Sequence, residues 1–355
     1  MPAQRLQVLL DLMIRSDASD LYLSAYANPK FSLHGGFTDA WPEQLTPDDT
    51  LSYAAELLSE EQREEFAREL EINLSFVHGK DGRFRVNCFT QRGCVAIVIR
   101  RIKTTIPKFS QLNLPPILGR LITADRGLML VTGATGSGKS TTLASMIDYR
   151  NETMGGHIIT IEDPVEFVFD NKQSVITQRE VGIDTKSFEV ALKNTLRQAP
   201  RVIYIGEIRG EDTMHFALHA AETGHLVLAT LHSTNANQTI DRIKHFFPAD
   251  FHEQLLLQLS MNLRAIVSQR LVPAARGGRV PALEILINTP FIAELIQKGD
   301  IGAMKDAIAE SRHEGLQTFD QHLLDLWKAG AISPEEALRN ADSANNLRLR
   351  MRGVA

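Results

Sequence analysis

In residues 1–100, apolar positions first follow helical spacing and then strand-like spacing. An amphipathic first helix is predicted by apolar residues that recur three and four positions apart: Leu6, Leu9, Leu10, Met13 and Ile14. Strands are predicted by extended runs at 21–23, 31–33, 84–89 and 95–99, and Gly35-Gly36 ends the second of them. Thr46 and Ser59 each precede an acid or amide three residues on, which marks two helix starts. The pattern indicates a small α+β domain.

The pattern changes after a polar segment, 101–112, which we interpret as a linker. Over 113–355, apolar runs alternate with helical spacing, for example at 140–149 and 187–197. Strands buried on both faces are predicted by nearly continuous apolar runs at 128–131, 158–161, 202–205 and 226–231. This alternation is typical of an α/β nucleotide-binding core.

From about residue 250 the sequence predicts a helical region. One apolar stripe, which we interpret as core packing, consists of Leu255, Leu256, Leu259, Leu263, Ile266 and Val267. Ser333-Pro334-Glu335-Glu336 marks a further helix start. The alternation of charged and apolar residues at 348–352 indicates a solvated tail or an edge strand rather than a binding site.

Composition narrows the class of protein. Hydrophobic residues make up 43% and charged residues 23% of the 355 residues, as in a globular protein with sizeable cores, and the net charge of -5 argues against a dedicated nucleic-acid binder. The two cysteines, Cys88 and Cys94, are too few for a disulfide framework, and reduced thiols suit a cytoplasmic protein. No apolar run approaches the ~18 residues that span a bilayer, so we expect no direct membrane insertion.

The strongest chemical signal is a phosphate-binding loop. Residues 133–140, GATGSGKS, match G-x-x-x-x-G-K-[ST] in full between a predicted strand and a predicted helix. The glycines Gly133, Gly136 and Gly138 allow backbone N–H groups to approach phosphate oxygens. Lys139 is expected to reach the β- and γ-phosphates and Ser140 to ligate Mg²⁺. The sequence thus predicts an ATP site, to which we also assign Thr135, Ser137 and Thr141.

Hydrolysis needs a carboxylate, and two strand ends supply candidates. The run at 158–161 leads into Glu162, Asp163 and Glu166, and the run at 202–205 leads into Glu207. Glu207 stands at the Walker B position, where P-loop proteins usually carry aspartate. Acids that directly follow buried strands are poorly explained as solvated loop residues.

Histidines and arginines leave two interpretations open. His225 and His232 flank the run at 226–231, and either senses the γ-phosphate, contacts a neighbouring subunit or simply hydrogen-bonds at a strand end. An arginine supplied in trans often assists phosphoryl transfer. Arg85, Arg100 and Arg101 are candidates, although for each alone the sequence favours a surface salt-bridge residue.

Four motifs in order resemble the secretion ATPase superfamily: GATGSGKST (133–141), IEDPVE (161–166), YIGEIRG (204–210) and AAETGHLVLATLHSTNANQTIDRI (220–243). They correspond to its Walker A, Asp box, Walker B and His box. SDASDLYLS (16–24) and FRVNCF (84–89) resemble the N-terminal domain of the type IV pilus retraction ATPases. Three further segments resemble PilU-type rather than PilT-type members: GEIRG (206–210), FIAELIQKGD (291–300) and ADSANNLRLRMR (341–352).

The resemblance implies a PAS-like N-terminal domain, a RecA-like core and a homo-hexameric ring. It implies that Glu166 activates water while Glu207 supports Mg²⁺, although these two roles could be exchanged. It makes His225 and His232 the His-box pair. Arg85 and Arg100 match arginines that reach the γ-phosphate from the N-terminal domain.

The implied function is an ATPase motor for pilus retraction and twitching motility. Its implied partners are an inner-membrane platform protein and a PilT-type ATPase ring, with no nucleic acid. The sequence departs from the family at Ala199, Arg201 and Gly210, where acids are usual, and this leaves the turnover rate open. An ATP-binding adaptor with little turnover and a RecA-like nucleic-acid motor remain the alternatives.

Overall fold

The computed structural model describes residues 2–33, 36–79, 82–102 and 105–353. Internal contacts divide the chain into a first unit, Met1–Thr105 with Glu166–Val168, and a second unit, Ile106–Val165 with Phe169–Ala355. Of the predicted linker, Arg101 and Ile102 end a strand, Lys103 and Thr104 lie outside the described residues, and 109–112 form a helix.

The first unit is built on one antiparallel sheet. Its elements are α1 (Pro2–Arg15), β1 (Asp20–Ser24), β2 (Lys30–Leu33), β3 (Gly36–Asp39), α2 (Pro47–Leu57), α3 (Glu60–Glu69), β4 (Glu71–His78), β5 (Gly82–Gln91) and β6 (Cys94–Ile102). The strand order is β3-β2-β1-β6-β5-β4. The predicted strands and helix starts in this part are confirmed, including the capping boxes at Thr46 and Ser59. The structure adds β3 and β4; Gly36 begins β3, and Gly35 lies outside the described residues.

The apolar stripe of α1 packs onto this sheet. Leu6, Leu9, Leu10 and Met13 are buried in one cluster with Cys88 of β5. Burial raises the pKa of the Cys88 thiol to about 12, and neither cysteine is in a disulfide. Cys88 is therefore a packed, free thiol of the core.

The second unit is built on a mixed sheet with helices on both faces. Its elements up to the last strand are α4 (Phe109–Leu112), α5 (Ile117–Ile122), β7 (Gly127–Thr132), α6 (Lys139–Thr153), β8 (Gly156–Glu162), β9 (Ser174–Glu180), α7 (Phe188–Thr195), β10 (Val202–Ile205), α8 (Glu211–Glu222), β11 (Leu226–Leu231), α9 (Ala236–Lys244), α10 (His252–Asn262), β12 (Leu263–Pro273) and β13 (Arg279–Ile287). The order is β13-β12-β7-β11-β10-β8-β9, and only β13 runs antiparallel to its neighbour. Every residue of β7, β10 and β11 is buried, as predicted.

The region after residue 250 departs from the sequence prediction. The predicted helical stripe ends at Asn262, and Leu263, Ile266 and Val267 lie on β12 instead. A strand buried on both faces is apolar without alternation, so its sequence also fits a buried helix. The pairing of β12 with β7 and β13 decides between the two.

Helices follow β13 to the end of the described chain: α11 (Pro290–Lys298), α12 (Met304–Glu310), α13 (Phe319–Lys328), α14 (Pro334–Asn340) and α15 (Ala344–Met351). The predicted start at Ser333 is confirmed, because its side chain caps α14. The segment 348–352 is solvated as predicted, since Arg348, Leu349, Arg350 and Arg352 are exposed, but it is not an edge strand. Residues up to Met351 belong to α15, which buries Leu347 in a C-terminal cluster. Among the described residues, no helix combines the length and apolar character needed to cross a membrane.

Candidate active site at the phosphate loop

The phosphate loop, residues 133–140, leaves the buried strand β7 and enters helix α6. Gly133, Gly136 and Gly138 all have positive φ, at 152°, 76° and 85°. Gly138 is the N-cap residue that precedes α6, so the N-terminal N–H groups of this helix open onto the loop. Side chains other than glycine are strained in this backbone, which explains the motif at these positions.

Lys139 lies buried under the loop. Its Nζ donates to the carbonyl oxygens of Gly133 at 2.9 Å and Ala134 at 3.1 Å. The Ser137 hydroxyl is buried and has no hydrogen-bond partner among the described residues. An ammonium, a buried hydroxyl and a helix N-terminus at one place fit the oxygens of a phosphate chain.

The other loop residues border open space. Thr135 and Gly136 are exposed, and Ser140 and Thr141 are half-buried. Two cavities of about 290 and 300 Å³ flank the loop. Thr141 lines the first and Thr135 lines the second, so the loop presents its polar groups to both.

Four side chains in mutual polar contact, which we term the Walker B corner, are Asp163, Glu207, Arg209 and His232. Glu207 Oε2 lies 2.8 Å from Arg209 Nε, and Glu207 Oε1 lies 3.1 Å from His232 Nε2. Arg209 also reaches Asp163 Oδ2 at 3.2 Å. These residues follow β8, β10 and β11, which run parallel to β7, so the corner and the phosphate loop lie at one edge of the sheet.

The turn carrying Glu207 is fixed by the backbone. Gly206 N donates to Ile161 O at 2.8 Å, and Ile208 N donates to Thr230 O at 3.0 Å. A Cβ on Gly206 would lie 3.1 Å from Glu162 Cα, so glycine suits this close approach. The hydrogen bond to Glu207, and to a smaller extent Asp163, raises the pKa of Arg209. Arg209 therefore stays charged between the two carboxylates.

The three acids of the Asp box, Glu162, Asp163 and Glu166, have different surroundings in the structure. Glu162 is buried, and its Oε1 accepts from Thr160 Oγ1 at 2.6 Å and Gln178 Nε2 at 3.4 Å. Asp163 joins the Walker B corner. Glu166 is exposed and belongs to the first unit, with Val168. The three acids are thus close in sequence but distinct in setting.

Arg85 and Arg100 also belong to the first unit, where they stand opposite each other on β5 and β6. Arg100 Nε donates to Asp20 Oδ1 at 2.7 Å. This hydrogen bond raises the pKa of Arg100, and Glu166 adds a smaller attraction. Asp20 is nearly buried, so the predicted surface salt bridge of Arg100 has a fixed partner.

Comparison with known proteins decides the family. The model of the family described as type II/IV secretion system protein matches residues 7–334. This chain belongs to that family. Among its relatives, the type IV pilus ATPase PilU of Pseudomonas aeruginosa is 50% identical over 96% of this chain and 90% of its own length. The type IV pilus retraction ATPase PilT of the same organism is 41% identical over 95% and 98%.

Solved structures agree with this assignment. A crystal structure of the pilus retraction motor PilT with bound ADP superposes with a TM-score of 0.89, at 43% identity, and covers 96% of this chain and 98% of that one. The Legionella pneumophila ATPase DotB gives a TM-score of 0.76 at 27% identity over 93% of each chain. The predicted α/β fold with a RecA-like core is confirmed, the first unit is consistent with a PAS-like domain, and this secretion ATPase binds nucleotide and hydrolyses ATP.

The structure separates the two His-box histidines of this secretion ATPase. His232 joins the Walker B corner, whereas His225 precedes β11 and lies at the opposite edge of the sheet. Its Nδ1 contacts Ala220 O at 3.1 Å and Thr223 Oγ1 at 3.3 Å. A strand of 6 residues, about 20 Å at ~3.3 Å per residue, separates His225 from the edge that carries the phosphate loop. The structure therefore does not bring His225 to its own phosphate loop.

Sequence reasoning missed two residues of the site. Arg209 was visible within YIGEIRG but received no role, and the structure places it between Asp163 and Glu207. Gln269 gave no signal, because it lies on β12 in the segment predicted to be helical. Its side chain contacts the phosphate loop directly.

Proposed function

We propose that this protein is a hexameric ATPase motor for type IV pilus retraction and twitching motility, and that it assists a PilT-type motor. The observation that carries the proposal is the Walker B corner beside a complete phosphate loop, in a chain similar over its whole length to PilU and PilT. The proposed position is cytoplasmic, on an inner-membrane platform protein of the pilus machine.

In the proposed site, the phosphate loop binds the phosphates of ATP. Backbone N–H groups from Gly133 to Thr141 surround the phosphate chain, and Lys139 turns from its carbonyl partners to the β- and γ-phosphates. The half-buried Ser140 hydroxyl and the Glu207 carboxylate would hold Mg²⁺. Bound Mg²⁺ would neutralise charge that develops on the phosphates.

We assign the general base to Glu166 and a supporting role to Glu207. Both carboxylate oxygens of Glu207 already contact cationic or titratable partners, Arg209 and His232. Both oxygens of Glu207 are therefore already engaged by neighbouring side chains, which suits a supporting role better than proton abstraction from water. Glu166 is exposed, belongs to the first unit and is not a member of the Walker B corner. Glu162, which is buried, would support the strand end that carries Asp163.

The remaining predicted residues receive roles that involve domain or subunit movement. Arg85 and Arg100 would reach the γ-phosphate from the first unit of the same or a neighbouring chain. His232 would report the state of the nucleotide to Glu207, 3.1 Å away. His225 lies at the other edge of the sheet, so we assign it to contact with a neighbouring subunit rather than with its own nucleotide.

Steady-state ATP hydrolysis by the purified protein tests this proposal, with oligomer mass recorded in the same samples. Lys139→Ala should abolish turnover, and Lys186→Ala, at an exposed lysine outside the site, is the matched control. Activity of a hexamer that is lost only in Lys139→Ala supports the motor. A hexamer that binds ATP without turnover contradicts the motor and favours an adaptor. Salt-sensitive stimulation by single-stranded DNA favours a nucleic-acid motor.

Loss of pilus retraction in cells completes the test. Cells carrying the Lys139→Ala variant should lose the contribution of this protein to twitching, while cells carrying Lys186→Ala keep it. Equal twitching with both variants would contradict a role for ATP turnover in retraction.

A further inference from the structure

Gln269 joins two parts of the nucleotide-binding segment through its side-chain amide. Its Nε2 donates to Ser137 O at 2.7 Å, and its Oε1 accepts from Thr142 Oγ1 at 2.8 Å. Gln269 is only 3% exposed, so both hydrogen bonds are shielded from water. The amide therefore connects β12 to the loop on one side and to the first turn of α6 on the other.

The glycines of the loop leave the space that Gln269 occupies. A Cβ on Gly133 would lie 2.5 Å from Gln269 O, and a Cβ on Gly138 would lie 2.8 Å from Gln269 Nε2. Both distances are too short for real atoms. Gly133 is thus required by the approach of the β12 backbone as well as by its positive φ, and a Cβ on Gly138 would displace the Gln269 amide.

The bond to Ser137 O has a consequence for the groups that bind phosphate. A peptide unit is planar and trans, so its carbonyl oxygen and the following N–H point in opposite directions. Gln269 holds the Ser137 carbonyl toward β12, which directs the Gly138 N–H away from β12. Without the amide, the Ser137 carbonyl loses the hydrogen bond that holds it toward β12.

We propose that Gln269 is a positioning residue for the phosphate loop, and that its amide raises nucleotide affinity by fixing the Ser137–Gly138 peptide unit. The proposal rests on the proposed function only in taking an adenine nucleotide as the ligand. Gln269 acts through the loop and through Thr142, and no contact of its own with the nucleotide is required.

The test is ADP affinity, measured by titration of the full-length protein, together with turnover at saturating ATP. Gln269→Leu removes both hydrogen bonds at similar volume and should weaken ADP binding about tenfold, with a much smaller change in turnover. Thr142→Val removes one bond and should weaken binding about threefold, and Thr142→Ser, which keeps the hydroxyl, should restore it. The double variant should be no weaker than Gln269→Leu alone, because the residues act as one unit.

Unchanged ADP affinity in Gln269→Leu with a lowered melting temperature would overturn the proposal, since Gln269 would then only pack the core. Additive losses in the double variant would also overturn it. If Gln269→Leu does not fold, the Thr142→Val and Thr142→Ser pair decides: equal affinities contradict the bridge. A wild-type protein that binds no ADP would contradict the proposed function itself, and wild-type binding without turnover leaves this test intact.

Discussion

The phosphate loop and the Walker B corner lie at one edge of the same sheet, but different forces hold them. The loop is fixed by close packing at Gly133 and Gly138 and by two buried, neutral hydrogen bonds, one that Gln269 donates to Ser137 O and one that it accepts from Thr142. The corner is held by the ion pairs of Arg209 and by the contact of His232 with Glu207, and these side chains are partly exposed: 21% for Glu207, 38% for His232 and 57% for Arg209. Exposed ion pairs contribute little to stability and exchange partners readily.

The difference between buried hydrogen bonds in the loop and partly exposed contacts in the corner indicates which part of the site can rearrange. A buried amide bridge resists movement, because each broken bond would leave an unsatisfied polar group. Ion pairs at the surface can give up one partner to a metal or a phosphate at small cost. We infer that the loop sets nucleotide binding and that the corner responds to the state of the nucleotide.

The largest effect is expected at Lys139. Lys139→Ala removes the ammonium beneath the loop, and turnover should fall about 100-fold or more, because a preorganised charge is lost where phosphate charge develops. ATP hydrolysis by the variant and by Lys186→Ala is the measurement. Substantial turnover in Lys139→Ala would place the chemistry elsewhere.

The second prediction separates the two glutamates. Glu166→Gln should lower turnover about 100-fold at any Mg²⁺ concentration, as expected on loss of a general base. Glu207→Gln should raise the Mg²⁺ concentration needed for half-maximal turnover, because the charge on one ligand is lost. If the Mg²⁺ dependence shifts in Glu166→Gln instead, the two roles are exchanged.

A third, smaller effect is expected at Arg209. Arg209→Ala should lower turnover about threefold at low salt, since exposed ion pairs contribute about 1 kcal/mol or less. The difference from wild type should shrink as salt rises. Arg339→Ala, which removes the exposed ion pair with Glu336, is the control and should leave turnover in place. A loss of turnover that salt does not change would show that Arg209 acts other than as an ion-pair partner.

The fourth prediction concerns stability rather than turnover. Glu284 on β13 is buried and accepts from Ala236 N, at the start of α9, at 2.8 Å. Burial raises the pKa of Glu284 from 4.5 to about 7. The folded protein therefore favours the protonated form, and stability is lost as pH rises from 4.5 through about 7.

Glu284→Gln should remove this loss. We compare the free energy of unfolding of the variant with that of wild type at each pH. This difference should shift in favour of the variant by up to about 3 kcal/mol between pH 4.5 and pH 8, at ~1.4 kcal/mol per pKa unit. Unfolding midpoints across this pH range check the result. Parallel pH profiles for the two proteins would mean that Glu284 does not titrate in this range.

The same comparison shows what the sequence could predict. The phosphate loop, Glu207 and the strands before them are encoded in short, contiguous patterns, so they were predicted at the right places. Gln269 depends on the pairing of β12 with β7, between segments far apart in sequence. The apolar residues Leu263 and Ile266 fit a helix as well as a doubly buried strand, so local pattern could not reveal that pairing.

Membership of the same sequence motif also did not predict which residues lie close together in the structure. His225 and His232 belong to one box, yet β11 carries them to opposite edges of the sheet. Glu162, Asp163 and Glu166 are near neighbours in sequence, but one is buried, one is ion-paired and one belongs to the first unit. A motif identifies the residue types, and the three-dimensional path of the chain decides which of them meet.

The central claim is that the phosphate loop sets nucleotide affinity and the Walker B corner sets turnover. The most direct test is to measure ADP affinity and turnover at saturating ATP on the same preparations of wild type, Gln269→Leu and Glu207→Gln. We predict that Gln269→Leu weakens ADP binding about tenfold with little loss of turnover. Glu207→Gln should bind ADP nearly as wild type does and, at a limiting Mg²⁺ concentration, lose most of its turnover. If Glu207→Gln instead weakens ADP binding as much as Gln269→Leu, or if Gln269→Leu loses turnover and keeps its affinity, the loop and the corner do not divide binding from chemistry.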